Sequence, residues 1–188
     1  MKTLLTTSFL ILAFTACVGQ TKGTTEPLIV SDLKFRSTLG FKPADSENVF
    51  SVLGYGFFQT SKSEESDSLI RAWIKGHPEA SVVPVTSFGP AKIADRNSNM
   101  IYCWIIDKED TLNNYLIKRG CFPGIAMSRP KTWQEMTKEE RGIYKEGNKP
   151  TVAVYVDEKD YDKFLKQIKS AELFARENDL GIWNGEDR

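Results

Sequence analysis

Few residues in this chain are of types that do chemistry, and their spacing narrows the choice further. Glu64, Glu65 and Asp67 fall within four positions, and grouped carboxylates are what a hard divalent cation such as calcium or magnesium takes as ligands. The same stretch, TSKSEESDS from Thr60 to Ser68, reads more simply as a solvated loop that ends in a helix cap, with Ser66 or Asp67 as the capping residue. The one histidine, His77, is of the residue type most used as a general base, yet it stands in the helix-stopping turn Gly76-His77-Pro78 with no partner evident in sequence. Three cysteines, Cys17, Cys103 and Cys121, show no Cys-x-x-Cys spacing, and with a single histidine they do not make a structural zinc site. No serine sits in a Gly-x-Ser-x-Gly turn and no glycine-rich phosphate loop occurs. Lys159, Lys163, Lys166 and Lys169 form a stripe at helical spacing, but Glu158, Asp160, Asp162 and Glu172 interleave with it, which is the pattern of a solvated face.

The elements that must position these residues belong to one folded unit. The chain has 188 residues, 40% hydrophobic and 27% charged, with 25 Lys+Arg against 25 Asp+Glu. That composition excludes a disordered, collagen-like or disulfide-scaffold chain. Its neutrality supplies no general field toward a polyanion, so any such binding needs a local patch. Strand-like stretches cover Leu28 to Leu39, and Val49 to Phe58 is an apolar run broken by Gly54 and Gly56. A helix follows, with Leu69, Ile70, Trp73 and Ile74 on one face. Ala80 to Thr86 is a strand whose Pro84 marks an edge or bulge. Asp95 to Asn99 reads as a polar loop and Ile101 to Ile106 as a buried strand. Thr111 to Arg119 is a short helix stopped by Gly120. Phe122 to Pro150 is polar and unpatterned, an inserted loop in which Met127, Trp133 and Met136 offer an apolar lip to a partner. Val152 to Val156 is a strand. In the last helix Tyr161, Phe164, Leu165, Ile168, Ala171 and Ala175 repeat at core spacing.

Residues 1–16 are set apart. Met1-Lys2 precedes an apolar run from Leu4 to Phe14 that is too short to span a bilayer and has the layout of a secretory signal. Phe14-Thr15-Ala16-Cys17 resembles the bacterial lipoprotein box, with Phe14 where that box usually carries an aliphatic residue. The resemblance implies lipid on Cys17, a tether over residues 17–27 and a single domain over 28–188, exported and held to the cell envelope on its periplasmic side. Two cysteines then remain in an oxidising compartment, as a disulfide or as two separately buried thiols.

The order of elements, with Leu112-Asn113, Leu116-Ile117-Lys118-Arg119-Gly120, Ala171-Glu172, Ala175 and Leu180-Gly181-Ile182-Trp183, resembles the C-terminal two-thirds of the thermonuclease-like family. That resemblance covers about Leu69 to Trp183. It implies an α+β fold, a five-stranded OB-like barrel with three helices. The family's chemistry uses a carboxylate-held divalent cation, a glutamate that activates water and two arginines on the phosphate. Its Asp-Gly-Asp-Thr and Arg-then-Asp-x-Pro-Glu elements are not found in this sequence, and Asn99 stands where its second arginine belongs, after Asp95 and Arg96. An asparagine does not supply a fixed cationic fork.

Two functions follow as expectations. The first is a lipid-anchored, non-catalytic binding or scaffold module of the envelope, with no cofactor and with a membrane, an envelope protein or a ligand as partner. The second is a calcium- or magnesium-dependent nuclease that has rebuilt its site from Glu64, Glu65, Asp67 and Asp95, with Arg71 or Arg96 as clamp. Tyr155 lies near where the family stacks a tyrosine on a base, which makes it the candidate for nucleic-acid contact.

Overall fold

Hydrophobic spacing and side-chain caps account for most of the helices in the computed structural model, which describes residues 27–45, 47–52, 65–93, 96–127, 131–142 and 149–185. Helix α1 (Ser66–Gly76) turns Ile70 and Trp73 inward, with Leu69 and Ile74 packed beside them. Its first residues are not capped as expected. Ser66 is drawn fully into the core and Asp67 lies inside the first turn, so the cap position falls to Glu65, which makes no side-chain cap bond. Helix α2 (Leu112–Lys118) begins where the Thr111 hydroxyl accepts the Asn114 N–H at 3.0 Å. Helix α4 (Glu158–Glu177) begins where Asp157 accepts the Asp160 N–H at 2.8 Å. Its buried residues are Phe164, Ile168, Ala171 and Ala175, and this 4-3-4 spacing is that of a single helical face.

Among the described residues the strands are β1 (Lys34–Arg36), β2 (Leu39–Phe41), β3 (Asn48–Ser51), β4 (Ser81–Ile93), β5 (Arg96–Asp107), β6 (Asp110–Thr111) and β7 (Thr151–Val154). They form one mixed sheet in the order β1-β2-β3-β5-β4-β7, with β6 on β5. The β3–β5 pairing is parallel and the other ladders are antiparallel. The architecture is therefore α+β. Seven strands stand where five were expected, and their ladders are not closed into a barrel. Outside them, an isolated antiparallel bridge joins Ile29 to Ser81. There Val30 N–H donates to Ala80 O, and Val82 N–H to Leu28 O, each at 2.8 Å.

Two local readings are corrected. The expected loop at 95–99 is strand from Arg96 onward, because Asn97 and Ser98 pair with Lys92 and Ala91, and the Asn99 N–H donates to Glu47 O at 2.7 Å. Pro84 marks a bulge, one of the two expected alternatives: the β4–β5 register shifts between Pro84 and Thr86, and the β7 ladder begins only at Thr86. The segment 122–150 is no plain loop. A 3-10 turn covers Gly124–Met127, and helix α3 covers Lys138–Gly142. Two side-chain closures fold it: the Thr132 N–H and hydroxyl donate to the Glu135 carboxylate at 2.7 and 3.0 Å, and in a reciprocal cap the Thr137 N–H donates to that of Glu140 at 2.7 Å while the Thr137 hydroxyl accepts the Glu140 N–H. Met127 and Met136 are buried, not exposed, so the apolar partner lip is withdrawn.

Two cores result. The larger holds Ile70, Trp73, Ile105, Leu112, Leu116 and Ile168 between the helices and the sheet. The smaller, on the opposite side of β5, gathers Val49, Phe88, Met100, Tyr102 and Met136, with Trp133 packed against it. Each fully buried aliphatic side chain contributes about 2 kcal/mol, so a buried polar group left unpaired would cancel one of them. Asn113, 1% exposed, avoids this. Its Oδ1 accepts the Ile105 N–H at 3.1 Å, and its Nδ2 donates to Cys103 O at 3.0 Å and to Val52 O. Asn113→Ala is expected to lower stability in urea unfolding by about 3 kcal/mol, through the backbone groups it orphans. The exposed Asn97→Ala should cost less than about 0.5 kcal/mol.

Candidate functional site

Of the residues picked out for a rebuilt nuclease site, the described ones stand on two elements: Glu65, Asp67 and Arg71 at or along α1, and Arg96 in the β4–β5 hairpin. Glu64 and Asp95 lie outside the described residues, as does Cys17. Glu65 and Arg71 are exposed along α1. Arg96 is exposed in the terminal pair of the β4–β5 hairpin, opposite Ile93. The other end of β5 is where α1 finishes, because His77, which follows α1, meets Asp107 there. Among the described residues no group of three or more His, Cys, Asp or Glu side chains is placed to hold a metal ion. Asn99 donates its amide to the Asn48 side chain at 3.3 Å. Tyr155 is 56% exposed just beyond β7, with its hydroxyl 3.0 Å from the Ser87 hydroxyl.

His77 has a partner that its local sequence conceals. Its Nδ1 lies 2.6 Å from Asp107 Oδ2, thirty residues on, and its ring stacks on Trp73 with centroids 4.2 Å apart. The arrangement ties the end of α1 to the end of β5. Cys103 and Cys121 are both buried and are not joined in a disulfide, and burial pushes the Cys103 thiol far above the usual thiol range.

Among the described residues a concave, partly polar surface lies elsewhere, between α2 and α4. A cleft of about 540 Å³ is lined there by Lys118 from α2, by Lys163 and Lys166 from α4, and by the neutral donors Asn114, Gln167 and Ser170. Glu109 lies on its lining and Phe174 forms an apolar wall. Phe174 is 41% exposed, and the Lys118 ammonium stands 4.8 Å from its ring centroid. A second lobe of about 350 Å³ shares Asn114, Lys118 and Phe174 and adds Tyr115 and Arg119, whose guanidinium lies 4.6 Å from the Tyr115 ring. The lysine stripe of α4 was read as a solvated face because only the folded chain brings Lys118 to it. A signal was available: Leu112 and Leu116 turn inward, so Asn114 and Lys118 must turn outward on the same short helix.

The walls of this cleft are pinned at their ends. Gly120, at φ 65°, and Gly181, at φ 57°, touch backbone to backbone, and a Cβ on either would collide with the other's loop. The Ile182 N–H donates to Gly120 O at 2.9 Å. Glu172 accepts the Gly124 N–H with one carboxylate oxygen and Arg176 Nε with the other, the latter at 2.9 Å. Arg176 in turn lies 3.5 Å over the Trp183 ring. The Ala171-Glu172, Arg119-Gly120 and Leu180-Gly181-Ile182-Trp183 pieces are thus one packed assembly that fixes α2 against α4.

Compared with models of protein families, with curated proteins and with solved structures, the chain matches none.

The buried thiol generates a pH dependence. Above about pH 8.5, where an unfolded thiol ionises, unfolding releases a proton that folded Cys103 keeps, so stability should fall as pH rises from there. Urea midpoints measured between pH 7 and 9.5 check this, and Cys103→Ala should remove most of the decline.

Proposed function

We propose that this chain is an exported protein, held to a bacterial membrane by lipid on Cys17, whose domain binds or scaffolds in the cell envelope rather than cleaving nucleic acid. The observation that carries the binding half is the α2–α4 cleft: concave, lined by three lysines against one glutamate, on a chain with no net charge. Such a local patch is what a neutral protein needs to hold an anion. The anchoring half rests on the signal-like residues 1–16 and the lipoprotein-type residues before Cys17.

An OB-like, thermonuclease-related architecture is the finer reading of the α+β fold. It is supported by the β1-β2-β3 meander, the parallel β3–β5 pair, the antiparallel β4–β5 pair and the return of Leu28–Val30 to the start of β4. The motif residues that suggested the family fall in the assembly around Gly120 and Gly181 or, as Leu112-Asn113, in the core beside it, which is a packing role, and packing does not carry an activity with it.

Two measurements test the proposal. Cys17→Ala should move most of the protein from the membrane fraction to the soluble fraction, and unchanged membrane association would remove the lipid anchor from the proposal. With the full chain, no divalent-metal-dependent cleavage of single- or double-stranded DNA or RNA is expected. Cleavage that needs calcium or magnesium and vanishes in Glu65→Ala or Arg96→Ala would overturn the binding reading in favour of a rebuilt nuclease.

A further inference from the structure

From the lining of the α2–α4 cleft we infer its ligand class: an organic phosphate monoester of headgroup size, seated with its phosphate against Lys118, Lys163 and Lys166. This rests on the reading of the cleft as the binding surface. A phosphate monoester near neutral pH carries between one and a half and two negative charges, by order of magnitude about −2, and three strong acceptor oxygens. Three ammonium groups from two helices answer the charge, and lysine serves phosphate as a point charge without demanding a planar fork. Asn114 and Gln167 are neutral donors in the same lining, able to complete the oxygens, while the Ser170 hydroxyl, which donates to Lys166 O at 3.0 Å, keeps lone pairs for a hydroxyl of the ligand.

Shape and the remaining residues narrow the class. A volume of about 540 Å³ is that of a small-molecule site rather than of a protein-binding face. The single carboxylate, Glu109, disfavours a ligand that is anionic throughout and suits one whose far side carries hydroxyls. The Phe174 wall gives an apolar face to a carbon skeleton, and the adjoining lobe of about 350 Å³ offers room for its continuation past Tyr115 and Leu180. A phosphorylated polyol and the phosphate head of an anionic lipid share this chemistry.

The test uses the full chain in a neutral detergent and titration calorimetry at low and raised salt. The probes are glycerol 1-phosphate as the free source, dihexanoyl phosphatidic acid as the lipid source, and glycerol and dihexanoyl phosphatidylcholine as controls. Binding of at least one phosphate monoester, at about 1 mM or tighter, is expected. It should weaken about tenfold in Lys118→Gln and in Lys166→Gln, and weaken with salt. Lys75→Gln, on the exposed side of α1, should leave it unchanged. Ser170→Phe, which fills the cleft without altering charge, should abolish it. Binding of phosphatidic acid alone assigns the site to a lipid head, and comparable binding of both probes assigns it to the phosphate monoester as such. No binding of either probe overturns the inference. So does binding that survives Ser170→Phe, or binding to a single-stranded oligonucleotide that neither monoester displaces. Because calorimetry reads the cleft and fractionation of Cys17→Ala reads the anchor, failure of one leaves the other standing.

Discussion

Everything in the helical half of this molecule depends on a buried carboxamide. Asn113 sits in a cluster of leucine, isoleucine and aromatic side chains, where an unanswered polar group would be costly. Its bonds to Ile105, Cys103 and Val52 make it the point where α2, β5 and the chain leaving β3 are held in one register. An aliphatic residue there would pack, but it would not specify which backbone groups face which. With α2 fixed on its inner side by Asn113, Asn114 and Lys118 necessarily face outward toward α4, and the cleft exists. The Gly120–Gly181 touch and the Glu172–Arg176–Trp183 chain then hold the two helices at one spacing, so the cleft does not need a ligand to form it.

What could be read from the sequence, and what could not, divides along the range of the interactions. The faces of α1 and α4 and the stop at Gly120 are local: apolar residues at helical spacing and a glycine with positive φ announce themselves. The beginning of β5 is not local. Arg96, Asn97 and Ser98 look like loop residues, and they are strand only because Ile93, Lys92 and Ala91 of β4 pair with them. His77 and Asp107 are likewise partners only after folding. The burial of Met136 follows from a second core whose other members lie on β3, β4 and β5, while Met127 joins the larger core. In that region one local signal went unread, since Thr132…Glu135 and Thr137…Glu140 are both capping-box spacings.

The candidate site divides in the same way. The carboxylates and arginines were singled out for their types, and those among the described residues lie on different surfaces, Glu65 and Arg71 on α1 and Arg96 at the hairpin end of β5. The lysines of α4 were in plain view but were matched with the acidic residues between them along the helix. What outweighs that pairing is the third dimension: α2 brings Lys118 to Lys163 and Lys166, while the intervening Asp160 and Asp162 are not among the residues lining the cleft. An excess of charge can be local on a chain whose total is zero.

The bridge between Ile29 and Ser81 carries an orientation. Ser81 pairs with Ile106, and Ile106 with Thr111, so these four residues form one row across neighbouring strands. Three strand spacings make that row about 14 Å long. Thr111 lines the cleft. The chain therefore enters the domain within a short distance of the cleft's mouth, while the hairpin end near Arg96 points the opposite way along β5.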